Sequence, residues 1–114
     1  MTKSQGDVSE RRKYPRVKAD VFYREPRLAP RKRAIHDISL GGVRIHCDEE
    51  LEKGRQLEME FLLPDGNVLV AIAQVRWSSK LPEGSDAGYA VGLQFMHLNP
   101  EAAEELKKFL EETN

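Results

Sequence analysis

The sequence predicts a mostly β domain, six antiparallel strands in a barrel or sandwich, closed by one C-terminal α-helix. Three observations carry this reading. Apolar and polar residues alternate in short runs, the period of a strand with one buried face. Segments rich in Gly, Pro and Asp separate the runs at regular intervals. Helical spacing appears only after Asn99.

Residues 1–10 are polar and lack periodicity, which predicts a mobile N-terminal arm ahead of a domain spanning 11–114. Val17, Ala19, Val21 and Tyr23 then alternate as the first strand. Pro26 and Pro30 bracket a loop, followed by a second strand at about Arg33–Ile38. Ser39-Leu40-Gly41-Gly42 is expected to turn the chain, since paired glycines permit positive φ. Val43, Ile45 and Cys47 form the third strand. Leu57, Met59, Phe61 and Leu63 alternate most clearly of all, and Pro64-Asp65-Gly66-Asn67 has the chemistry of a tight turn. Val68 to Trp77 is apolar on both faces and is expected to be a central strand with Trp77 in the core. After a polar loop from Pro82 to Gly88, Tyr89, Val91, Leu93 and Phe95 make the last strand. Asn99 is a suitable N-cap, Pro100 suits the first helical turn, and Ala103, Leu106, Phe109 and Leu110 follow at helical spacing.

Composition bounds the function. The 114 residues allow one domain, and 32% charged residues imply a compact core under a heavily charged surface. No apolar run reaches the ~20 residues of a membrane span, and residues 1–10 hold no signal-peptide core. The single cysteine, Cys47, excludes an internal disulfide and a multi-Cys zinc site, in keeping with a reducing cytoplasm. His46 and Cys47 are adjacent on one strand and point to opposite faces, which argues against a metal site. No paired carboxylates or activated nucleophile support catalysis, so no cofactor is expected. The net charge of −1 conceals an asymmetry: residues 1–36 carry eleven Lys/Arg against four Asp/Glu, a net +7, and the remainder carries −8. Such a split points to an anionic partner.

Two segments could receive an anion. Arg11-Arg12-Lys13-Tyr14-Pro15-Arg16 offers planar guanidinium forks that fit phosphate or the O6/N7 edge of guanine. Asp37-Ile38-Ser39-Leu40-Gly41-Gly42 offers a carboxylate acceptor, a hydroxyl, and glycines beside which a ligand could approach the backbone. Taken alone, the first also reads as a solvated basic cluster and the second as an ordinary turn. Trp77 could stack on a base, and Arg31-Lys32-Arg33 reads as a solvated loop.

Together, Arg12-x-x-x-Arg16 followed by Asp37-x-Ser39-x-x-Gly42 resembles the signature of the PilZ domain family, bacterial receptors for cyclic di-GMP. Val75-Arg76-Trp77 and Gly92-Leu93-Gln94-Phe95 are also similar to strands of that family, and the resemblance runs from Arg11 to the terminal helix. It implies a six-stranded antiparallel barrel with a C-terminal helix. It further implies that Arg12 and Arg16 hold phosphates and guanine edges, that Asp37 and Ser39 engage a guanine, and that Gly42 opens the surface. Arg11, preceding the motif, goes with a stacked pair of ligands in similar proteins; Gly41 and Trp77 are secondary candidates. The implied function is that of a stand-alone cytoplasmic receptor and adaptor, not an enzyme, whose arm becomes ordered on the ligand and signals to an effector protein. The alternatives are a small barrel binding nucleic acid non-specifically, which the acidity of residues 37–114 opposes, and a ligand-independent protein–protein module.

Overall fold

The computed structural model describes residues 20–113 of the chain. The arm, Arg11, Arg12, Arg16 and the first half of the expected first strand lie outside the described residues.

Among the described residues seven strands and one helix follow in order: β1 (Phe22–Glu25), β2 (Ala29–Ala34), β3 (Asp37–Ile38), β4 (Gly42–Cys47), β5 (Gln56–Leu62), β6 (Val68–Lys80), β7 (Tyr89–Leu98) and α1 (Pro100–Thr113). They form a single antiparallel sheet in the order β2-β1-β5-β6-β7-β4-β3. The strands at its two ends, β2 and β3, are joined by only Ile35 and His36. The sheet must therefore curl until its ends meet. The two joining amides face different partners: Ile35 N–H donates to the Val21 carbonyl at 3.0 Å, and His36 N–H to the Arg44 carbonyl at 2.8 Å. This joint splits the expected second strand in two, which raises the count from six strands to seven.

Inward-facing residues of every strand fill the barrel. Phe61, Ile38, Ile45, Leu51 and Met59 are all at most 1% exposed, and α1 closes the core with Ala102, Leu106 and Leu110. The Asn99 side-chain oxygen accepts the Ala102 N–H at 2.7 Å, satisfying a donor that the first helical turn leaves open. Tyr23 lies wholly within the core and donates its hydroxyl to the His46 carbonyl at 2.8 Å, tying β1 to β4, which is not its sheet neighbour. Burial pushes the Tyr23 phenol up to about 12. Burial likewise raises the Cys47 thiol, whose Sγ–H donates to the Glu49 carbonyl.

β6 is central, as its composition predicts, but the described residues cover only one of its apolar faces. Leu69, Ala71, Ala73 and Val75 point inward, while Val68, Val70 and Ile72 stand on the outer surface. Two register shifts interrupt its pairing with β7, one between Ile72 and Ala73 and one between Val75 and Trp77. At the second, two residues of β6 oppose one of β7, which reverses the phase of the alternation. Trp77 consequently pairs with Gly92 on the outer face and is 41% exposed, not in the core.

Candidate functional site

Four strands place four residues in one row on the outer face. Asp37 of β3 is opposite Arg44 of β4, Arg44 is opposite Gly92 of β7, and Gly92 is opposite Trp77 of β6. Directly paired residues of an antiparallel ladder share a face. The row therefore runs from a carboxylate through a guanidinium to an indole.

At one end, Asp37 Oδ2 accepts from Arg44 Nε at 3.0 Å and from Arg44 Nη2 at 2.5 Å. The carboxylate is 3% exposed, and this ion pair answers much of the cost of holding its charge away from water. Arg44 is a site residue the sequence reading missed. Its signal was present, because opposite charges equidistant from a turn face each other across the hairpin.

The turn itself is built differently from the expectation. Ser39 N–H donates to the Gly42 carbonyl at 2.9 Å, and Ser39 Oγ accepts the Gly41 N–H at 3.1 Å, so this hydroxyl folds back on its own backbone. Among the described residues only Gly54, Gly66 and Gly84 have positive φ; Gly41 and Gly42 do not. Gly42 is required by close approach: a Cβ there would lie 2.1 Å from the Leu93 carbonyl oxygen. The space is thus occupied by β7 rather than open to a ligand. Gly41 contributes its carbonyl, which accepts the Phe95 N–H at 2.9 Å.

At the other end, the indole of Trp77 lies over Gly92. A Cβ on Gly92 would meet indole Nε1 at 2.2 Å and Cε2 at 2.3 Å. The glycine provides a seat for the ring, and the far side of the ring remains available to a flat partner.

A polar cluster borders this row. The rings of His36 and His46 stack with centroids 5.1 Å apart, and His46 Nδ1 lies 2.8 Å from Asp86 Oδ1. That hydrogen bond holds the Asp86 carboxyl below its usual range. Arg33 reaches Asp48 at 3.3 Å and the Asp86 carbonyl at 2.9 Å. Arg31-Lys32-Arg33 therefore belongs to β2 and not to a loop, with Lys32 Nζ 4.8 Å from the centroid of the Phe22 ring. Cys47 is buried inside the barrel while His46 is only half-buried on the outer side. Among the described residues no three metal-ligating side chains converge.

The structure thus brings Asp37, Ser39, Gly41, Gly42 and Trp77 onto one part of the sheet, while Arg11, Arg12 and Arg16 lie outside the described residues. The PilZ domain profile matches residues 10–112. The chain belongs to the PilZ domain family. The inhibitor of motility MotI/DgrA of Bacillus subtilis superposes with a TM-score of 0.71 at 21% identity, over 90% of this chain and 50% of that one. YcgR of Escherichia coli in complex with c-di-GMP superposes with a TM-score of 0.67 at 22% identity, over 90% and 45%. The isolated PilZ domain of YcgR with c-di-GMP gives 0.68 at 20% identity, over 90% and 91%. The PilZ chain described here thus spans about half the length of MotI/DgrA and YcgR. No curated protein matches it. No helix among the described residues is long and apolar enough to cross a membrane.

Proposed function

We propose that this PilZ domain is a cytoplasmic receptor for cyclic di-GMP, using Arg11, Arg12 and Arg16 at the N-terminal edge of the domain with Asp37, Ser39 and Trp77 of the barrel. The row that ends in an acidic turn and a seated indole is the observation that carries the reading. Cyclic di-GMP presents two phosphates and two guanines. Arginine forks suit the phosphates and the O6/N7 edges, a carboxylate suits the N1–H and N2–H₂ edge, and an exposed indole face suits a purine plane. Arg44 positions the Asp37 carboxylate for this role. Gly41 and Gly42 keep the turn close to β7, and the basic Arg11 suits a second, stacked ligand.

Asp37 and Ser39 are 3% and 4% exposed. A guanine reaches them only when neighbouring groups give way, and that displacement is the change from which a signal can start. Ordering an arm around the ligand costs about 1–2 kcal/mol per backbone residue, so the arm adds contacts and loses freedom together. The altered surface would then be read by an effector protein.

Calorimetry with cyclic di-GMP tests this. The wild type should bind with micromolar or tighter affinity. Arg12→Ala, Arg16→Ala and Asp37→Ala should abolish the heat, and Gly92→Ala, which unseats the Trp77 indole, should weaken binding. Absence of heat from the wild type would sink the proposal. Binding of RNA with a steep salt dependence and no preference for the dinucleotide would point to a general phosphate grip instead.

A further inference from the structure

The outer half of β6 is apolar and bare. Val68 is 50% exposed, Val70 42% and Ile72 36%, and they follow one another on the same face. Exposed apolar residues scattered singly need no explanation, but a contiguous column does. Met96, 49% exposed, lies beside it in the bulge of β7, between His97 opposite Ile72 and Phe95 opposite Ala73.

Carboxylates flank the column on both sides. On β5, Glu60 is opposite Val70 and Glu58 is opposite Ile72. On the other side a groove of about 600 Å³ separates the start of β6 from the start of α1, whose Glu101, Glu104 and Glu105 line it. A second depression of about 450 Å³, on the β5 side, is lined by Arg24, Glu58 and Glu60 and shares Val70 with the first. Glu60 is paired with Arg24 at 2.7 Å, and Glu105 accepts from Asn67 at 2.8 Å. Glu58, Glu101 and Glu104 have no ion-pair partner among the described residues.

We infer that this face docks a basic amphipathic helix of a partner protein, its apolar stripe on Val68, Val70 and Ile72 and its lysines or arginines toward Glu58 and Glu101/Glu104. Charge complementarity selects this occupant. A second copy of the chain would bring the same carboxylates face to face, which is unfavourable. Residues 1–19 carry six Lys/Arg against two Asp/Glu, but their few apolar residues make no stripe at helical spacing. Dimensions agree as well. Four residue steps from Val68 to Ile72 span roughly 13 Å at ~3.3 Å each, about two and a half helical turns. The face uses the Val68–Ile72 end of β6 with β5 and α1, and none of Asp37, Arg44, Gly92 and Trp77, so the inference does not depend on the ligand.

The probe is a fluorescein-labelled helical peptide of leucine and lysine, with leucines at i, i+3, i+4 and i+7, titrated into the full chain and followed by anisotropy. Binding should weaken by about tenfold or more, a change of ~1.4 kcal/mol, in Val70→Lys/Ile72→Lys and in Glu101→Lys/Glu104→Lys. Circular dichroism should show both variants folded, since every altered side chain is exposed. A scrambled peptide of the same composition binding equally well, or unchanged affinity in both variants, would overturn the inference. So would a peptide of residues 1–19 that displaces the probe at lower concentration, or a sedimentation mass of a dimer that Val70→Lys/Ile72→Lys returns to monomer.

Discussion

The Tyr23 hydroxyl donates to a carbonyl on β4, a strand to which β1 is not paired, so its removal leaves a buried acceptor unanswered. Tyr23→Phe is expected to cost about 1–3 kcal/mol of stability in urea unfolding at neutral pH. The same phenol makes stability depend on alkali. Its folded value, about 12, is above the ordinary 10.0, so its contribution is complete below pH 10 and is lost as pH rises from there toward 12. A shift of that size corresponds to a loss of about 2–3 kcal/mol. Unfolding curves of wild type and Tyr23→Phe should therefore converge across this window; a constant gap would contradict the assignment. At this scale the site was half legible. Asp37 and Ser39 read alone as part of an ordinary turn and became candidates through the resemblance to the PilZ signature, whereas the closeness of Gly42 to Leu93 depends on two strands far apart in sequence, and no local pattern records it.

Elements differ in how plainly their sequence declares them. β5 alternates strictly because one face meets the core and the other meets water. α1 is declared by its cap, and the expected outcome of Asn99→Ala is a loss of about 1 kcal/mol, since the Ala102 N–H loses its acceptor. Asn99→Asp should retain most of that stability, and thermal unfolding of the two variants checks the difference. β6 is the opposite case. Its composition predicts burial on both faces, yet among the described residues no layer covers Val68, Val70 and Ile72. Counting by twos from Val75 carries Trp77 into the core, because the bulge that moves it outward is fixed by pairing with β7 and not by β6 alone. Likewise the break at Ile35 and His36 exists because the sheet must close, a requirement of the whole barrel.

For the molecule as a whole, the charge split acquires a spatial meaning. The −8 of residues 37–114 includes Glu58, Glu101 and Glu104 beside the exposed column, while the +7 of residues 1–36 includes Arg11, Arg12 and Arg16, proposed to meet the ligand. If the arm orders on cyclic di-GMP, amide exchange across residues 5–17 should slow when ligand is added. Exchange in β5, whose amides already pair within the sheet, should change little. Unchanged exchange in the arm would remove that step and leave binding to the barrel residues alone.

The row from Asp37 to Trp77 also determines where this chain can tolerate changes of length. Each of the four strands contributes one residue, and away from the two bulges of the β6–β7 pair the faces alternate along the strands. A single residue inserted within β4 or β7 would exchange inner and outer side chains beyond it, separating the carboxylate from the indole even if the barrel closed again. The connection at 48–55 lines a depression with Trp77, and that at 81–88 carries Asp86, the partner of His46, but the turn at 63–67 lies outside the row and could lengthen without disturbing it. Insertions there should be silent for the ligand, and insertions inside the strands should not.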